Sequence, residues 1–170
     1  MATAMASESV NQPNRPGKRL GGALSWGALV LAVAAFQWPM VKGTYYRITD
    51  PPAPASGIPW RTDFDRALAE ASGSGKPLLV DFSASWCPPC LVMKHDVWPD
   101  PAVGEAVRGG YVPVLLDVDD PKNAPVAERY GVAGVPAVLV VDSGGRVLRR
   151  GGYMSSGEAI AFLGAESGSR

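Results

Sequence analysis

The chain has 170 residues, and its 16 Lys and Arg balance 16 Asp and Glu to a formal net charge of zero. That excludes a uniformly basic nucleic-acid binder and a polyanionic disordered tail. Its 46% hydrophobic residues, five Trp among them, are enough for a core, while 20 Gly and 16 Pro mark much of the chain as turn or linker. Only two Cys are present, three positions apart, so neither a disulfide-stapled miniprotein nor a four-Cys zinc site is available.

The zero charge is the sum of two opposed segments. Residues 1–47 carry five basic side chains against Glu8 alone, a net +4, and residues 48–170 carry the compensating −4. Residues 1–19 are polar and small and are read as a disordered N-terminus. Leu20 to Val41 are 22 residues without a formal charge. As one helix they would reach about 33 Å, enough to cross a hydrocarbon core of about 30 Å. Trp26 and Trp38 stand toward the two ends, where indoles favour the interface. Arg15, Lys18 and Arg19 before the stretch against Lys42 and Arg47 after it place the N-terminus inside and the C-terminal domain on the periplasmic or extracytoplasmic side. This reading makes 20–41 a single-pass membrane anchor. The alternative is a signal peptide cleaved near Ala35, after Val33-Ala34-Ala35, which would release a secreted domain.

Residues 42–59 are read as a Pro-rich linker. Pro51, Pro52, Pro54 and Pro59 make its second half a stiff spacer that lifts a domain off the membrane. The domain itself spans 60–164, followed by a flexible tail over 165–170. Thr62 or Asp63 caps a helix with Phe64, Ala67, Leu68 and Ala71 on one face. Leu78 to Phe82 is a nearly continuous apolar run, as in a strand covered on both faces. Pro88 to Val97 suits a helix broken near Pro99, and Asp100-Pro101 starts another that stops at Gly109. Tyr111 to Leu116 reads as a strand, and Pro125 to Tyr130 as a helix ended by Gly131. Ala137 to Val141 and Arg146 to Arg150 are strands of a hairpin turning at Ser143-Gly144-Gly145. Ser155 and Glu158 have capping-box spacing ahead of a last helix. The order predicts an α/β fold, a mixed sheet with helices on both faces.

Trp86-Cys87-Pro88-Pro89-Cys90 lies where the buried strand feeds a helix. At a helix N-terminus the free N–H groups and the dipole favour a thiolate at Cys87, and the next turn carries Cys90 inward. An exposed nucleophile backed by a shielded resolving thiol is what thiol–disulfide exchange requires. Asp81, set between Val80 and Phe82, reads as a core carboxyl behind the pair, its pKa raised by burial, able to exchange a proton with Cys90. A solvent-facing position at the strand's end is the alternative. Trp86 reads as a half-exposed lid. Val135-Pro136 leads into a strand, and a cis bond there would offer the Val135 backbone to an extended substrate. A Val-Pro bond taken by itself is usually trans.

Asp81, Trp86, Cys87, Cys90 and Pro136 in this order resemble the thioredoxin superfamily, over about Trp60 to Leu163. Lys76-Pro77, Asp100-Pro101-Ala102-Val103 and the Gly144-Gly145 hairpin are most similar to its membrane-tethered exported members, especially the C-terminal domain of DsbD-type reductants. The resemblance implies a thioredoxin-like three-layer domain behind an N-terminal transmembrane helix. It implies a redox disulfide Cys87–Cys90, with Cys87 as nucleophile, Cys90 as resolving thiol and Asp81 as acid/base. It also implies that Pro136 is cis and that Trp86, Val135 and Pro136 bind substrate.

Two departures stand out. Thioredoxins carry a Lys near the buried Asp, where Leu115 stands in this chain. The Pro88-Pro89 spacer removes two N–H groups that could have reached the Cys87 sulfur, which favours a more reducing pair. No cofactor, metal or nucleic acid is expected. The expected partners are protein thiol or disulfide substrates, a separate membrane or exported electron donor or acceptor, and the membrane through 20–41. The competing functions are a soft-metal (Cu) module using the Cys pair and a non-redox docking module. His95, the single His, reads as an exposed helix residue rather than a ligand, and Asp117, Asp119 and Asp120 as a solvated turn.

Overall fold

The computed structural model describes residues 21–164, with side chains from Trp26 onward. The expected disordered N-terminus (1–19) and flexible tail (165–170) lie outside the described residues. Helix α1, Gly21–Phe36, belongs to a first compact unit, and everything from Gln37 on belongs to a second.

The second unit is built on β1, Leu78–Ser83. Alternation along this strand sends Leu78, Val80 and Phe82 to one face and Leu79 and Asp81 to the other. Parallel to β1 runs β2 (Val112–Asp117), and antiparallel to it runs β3 (Ala137–Val141), which pairs in turn with β4 (Val147–Gly151). The sheet order is β2-β1-β3-β4. Helices α3 (Phe64–Ser74) and α6 (Ala124–Arg129) flank one face, where Phe64, Ala67 and Ala71 pack on Val80, Phe82 and Val114. The other face takes α4 (Pro88–Val92), α5 (Pro101–Gly110) and α7 (Ser156–Gly164), with Val103, Val107, Ala159 and Leu163 on Leu79, Val138 and Val140. This is the predicted three-layer arrangement. The caps are those the sequence suggested. The Asp63 carboxylate accepts from Arg66 N at 3.0 Å, Asp100 Oδ1 accepts from Ala102 N at 2.9 Å, and Ser155 and Glu158 close a capping box.

The α4 helix does not stop at Val92. It widens through Met93–Val97 into a π turn closed by Trp98 N donating to Met93 O at 2.9 Å. This carries Trp98 inward ahead of the break at Pro99.

The described part of the N-terminal third differs from expectation in two respects. Among the described residues no helix is long and apolar enough to cross a membrane. Helix α1 has 16 residues, and a turn at Gln37 precedes a new helix, α2 (Trp38–Thr49), with Pro39 in its first turn. The membrane helix expected over 20–41 is therefore not found as one element. The linker expected over 42–59 is not a free spacer either. Its first half is α2, which packs on α4 through Gly43. There the backbones approach so closely that a Cβ would lie 1.9 Å from the Pro88 carbonyl oxygen. Its second half lies along the domain, held by the buried Ile58 and by Arg108 Nη1 donating to Gly57 O at 3.0 Å. Arg61 then bridges alongside β2, with Leu115 N donating to Arg61 O at 2.8 Å. The physical reason is apolar content: Ile58 interrupts the prolines, Trp60 follows the last of them, and both are worth burying.

The Gly43 contact gives a direct test. Gly43→Leu keeps helix propensity high but leaves no room against Pro88. Amide exchange across residues 38–49 should speed up at least tenfold while β1 and β3 keep their protection. Unchanged exchange would mean that this contact does not hold α2.

Candidate active site

The site forms where β1 leaves the sheet. The chain turns through Ala84-Ser85-Trp86 and enters α4 with Cys87 as its N-cap residue. Pro88 and Pro89 take the first helical positions, which suit residues with a fixed φ and no N–H. Cys90 N is thus the first donor of the turn, and it reaches Cys87 Sγ at 3.2 Å. Cys87 and Cys90 form a disulfide with an S–S distance of 2.03 Å and Cα atoms 5.3 Å apart.

Burial of the pair differs from expectation. Cys87 was expected to be presented and Cys90 held back, yet in this disulfide form they are only 2% and 3% exposed. Ala84, Val118 and Val135 pack around the two sulfurs, and α2 lies on the neighbouring Pro88. Val135 comes from the loop before β3, and its bond to Pro136 is cis. Trp86 is half exposed, as a lid would be, and its Nε1 donates to Asp119 Oδ2 at 2.8 Å. The acidic turn is therefore not merely solvated, because Asp119 fixes the loop that delivers Cys87. No sequence spacing pointed to that pairing.

Asp81 is buried on the α4 face of β1, which settles the alternative of a solvent-facing carboxylate. Its Oδ2 accepts from Trp98 Nε1 at 2.9 Å, while Oδ1 has no hydrogen-bond partner among the described residues. Desolvation drives its pKa up from 3.8 to about 7, and the Trp98 hydrogen bond opposes part of the rise. Leu115 sits directly across from Asp81 on β2, so that neighbouring strand supplies no cation. Asp81, Cys90, Trp98 and Leu115 line one cavity of about 200 Å³, which puts the carboxyl and Cys90 on a common space. Trp98 is buried in the core, where an indole contributes apolar surface. In the structure it is the donor that holds Asp81, and Trp60 braces it edge-on at a centroid distance of 5.4 Å.

His95 is half-buried rather than exposed, stacked on Tyr46 of α2 at 4.3 Å. Among the described residues no group of three or more His, Cys, Asp or Glu is disposed to hold a metal ion.

Comparison with known proteins agrees with this geometry. A family model described as Thioredoxin-like matches residues 59–143. The thiol:disulfide interchange protein DsbD 1 of Pseudomonas aeruginosa is 33% identical over 109 residues, 63% of this chain and 17% of that protein. The chloroplastic thioredoxin-like protein HCF164 of Oryza sativa subsp. japonica is 27% identical over 140 residues, 82% of this chain and 48% of the relative. The chain therefore spans less than a fifth of the DsbD protein and about half of HCF164. A thioredoxin from Thermus thermophilus superposes with a TM-score of 0.58 at 28% identity, covering 64% of this chain and 86% of that one. The oxidised C-terminal domain of Neisseria meningitidis DsbD gives 0.53 at 25% identity, over 62% and 97% of the two chains.

The raised pKa of Asp81 fixes how stability follows pH. Below pH 3.8 the carboxyl is protonated in both folded and unfolded chains. Between 3.8 and about 7 the unfolded chain releases the proton and the folded chain keeps it, so stability falls as pH rises. The loss is on the order of 4 kcal/mol. Urea unfolding of the oxidised protein across pH 4–8 should show this decline, and Asp81→Asn should flatten it. Trp98→Phe removes the opposing hydrogen bond and should move the Asp81 midpoint higher still.

Proposed function

The chain belongs to the thioredoxin-like family, and on that premise we propose that it is a membrane-tethered, exported thiol:disulfide oxidoreductase that works as a reductant of protein disulfides. The observation that carries this reading is the Cys87–Cys90 disulfide at the start of α4, with the buried Asp81 on the same cavity as Cys90.

The reaction follows from those positions. In the reduced protein the Cys87 thiolate attacks a substrate disulfide. One Cys87–substrate S–S bond forms as the substrate's own bond breaks, and the departing sulfur leaves as a thiolate that takes up a proton. Asp81, ionised, takes the proton from Cys90. The Cys90 thiolate then attacks Cys87, breaking the mixed disulfide and releasing the second substrate thiol. Two electrons pass to the substrate, and the chain is left as the disulfide described above. A carboxyl poised near pH 7 can both accept and return that proton. Trp86, Val135 and Pro136 flank the pair and are the surface against which an extended substrate would lie. The reverse half-cycle needs a dithiol on another protein, a separate membrane or exported electron donor.

The direction of flow rests on Pro88-Pro89. With both N–H groups absent, Cys90 N is left as the first-turn donor to the Cys87 sulfur. A poorly stabilised thiolate makes the dithiol the stronger reductant. Tethering rests on the charge-free stretch Leu20–Val41 behind Arg15, Lys18 and Arg19, with the catalytic domain on the periplasmic or extracytoplasmic face.

Cys90→Ala should accumulate substrate proteins joined to Cys87 as mixed disulfides, and Cys87→Ser should trap none. The Cys87–Cys90 couple, equilibrated against dithiothreitol, should have a potential near −270 mV, as in thioredoxin. A value near −120 mV, typical of strong oxidants, would overturn the reductant assignment. Pro89→His restores one N–H and should raise the potential by about 30 mV, tenfold in the exchange constant. Resistance of the full-length chain to carbonate extraction checks the tether, and a soluble mature form beginning near residue 36 would replace it with a cleaved signal.

A further inference from the structure

Helix α2 has two faces of different character. One faces the catalytic domain. Besides the Gly43–Pro88 contact, Tyr46 Oη donates to Asp96 Oδ1 at 2.8 Å, and Lys42 Nζ pairs with Asp96 Oδ2 at 2.7 Å. Tyr46 also stacks on His95. The other face carries Trp38, Val41, Tyr45 and Ile48 at i, i+3, i+7 and i+10, which are 62%, 59%, 59% and 76% exposed. A helix fixed so closely from one side would ordinarily be polar on the other. Here four large apolar side chains form a continuous exposed stripe.

The composition of the stripe identifies its partner. Trp and Tyr beside aliphatic residues are what a helix lying in a membrane–water interface presents to lipid, while Arg47, on the opposite side of the helix, lines the cleft beside Cys90 with Tyr46 and Asp50. Chain continuity points the same way. A single residue, Gln37, separates α2 from α1, whose Trp26, Leu29, Val30, Leu31, Val33 and Phe36 are all exposed. The first helix is apolar all round and the second on one face only. The first pattern suits the hydrocarbon, the second the interface.

We infer that α2 is an interfacial helix, its Trp38-Val41-Tyr45-Ile48 stripe lying on the lipid surface and its Gly43 face carrying the catalytic domain. This rests on the tethered reading above and replaces a long stalk with direct mounting. The active-site helix rests on α2 itself, so the Cys87–Cys90 pair stands roughly one helix diameter, about 10 Å, from the lipid. Its partners then meet it at the membrane surface.

The test uses the full chain reconstituted in vesicles of phosphatidylcholine and phosphatidylglycerol. A nitroxide is attached through a ketone-bearing amino acid at position 30, 45, 47 or 48, leaving both cysteines intact. Collision with oxygen, which concentrates in lipid, is compared with collision with a water-soluble nickel chelate. Positions 45 and 48 should favour oxygen, with nickel accessibility several-fold below that of position 47. Equal nickel access at 45, 47 and 48 would overturn the inference. So would shielding of 45 and 48 from both reagents, or spin–spin broadening between copies, either of which would put protein on the stripe. Position 30 separates the two readings: lipid at 30 with water at 45 and 48 sinks the interfacial helix alone, whereas water at 30 sinks the tether.

Discussion

A carboxyl group withdrawn from water at the centre of β1 is the constraint around which this site is organised. Alternation along the strand leaves no choice of face. With Val80 and Phe82 committed to the α3 side, Asp81 must point under α4, toward Cys90. Burying a carboxylate without a cationic partner is costly, and the structure lowers that cost in two ways. The raised pKa lets the group stay neutral up to about pH 7, and one indole N–H satisfies one oxygen. The other oxygen has no hydrogen-bond partner among the described residues and lies on a small cavity shared with Cys90.

That arrangement depends on parts of the chain distant in sequence. The π turn after α4 brings Trp98 round to Asp81, and Trp60, at the end of the Pro-rich segment, braces Trp98 edge-on. Val118 and Val135 close over the sulfurs, while Asp119 holds Trp86. Apart from Asp81, each of these residues lies outside the helices and strands, where side-chain direction is set by the loop rather than by a helical or strand period. The sheet places the reacting groups, and the loops decide how far they are exposed.

The legible and illegible parts divide along that line. Periodicity and caps showed the strands, the helices around them and their order, because burial enforces the repeat at Phe64, Ala67 and Ala71 or at Leu78 to Phe82. The Cys pair and Asp81 were legible because a charged residue inside an apolar run and two cysteines at a strand-to-helix junction are rare arrangements. The indole donor of Trp98 was not, since Trp satisfies a packing reading equally well and only the π turn decides otherwise. The disulfide's depth was hidden for a similar reason: the residues that bury it lie 31 and 48 positions beyond Cys87. The same limit explains α2. Twenty-two uncharged residues read as one span because hydropathy carries no record of the turn at Gln37.

Docking of α2 changes what the N-terminal third contributes. A proline spacer would decouple the domain from whatever precedes it in the chain. Here Gly43 lies against Pro88, one residue from Cys87, while Asp96 of the π turn receives both Lys42 and Tyr46. Anything that displaces α2 must therefore break contacts made by the two segments that carry the reactive pair and Trp98. Exposure of the sulfurs and placement of α2 then draw on one set of contacts. A Cβ at residue 43 would collide with backbone, which flexes far less readily than a side chain, so Gly43 is the point where that coupling is most sensitive.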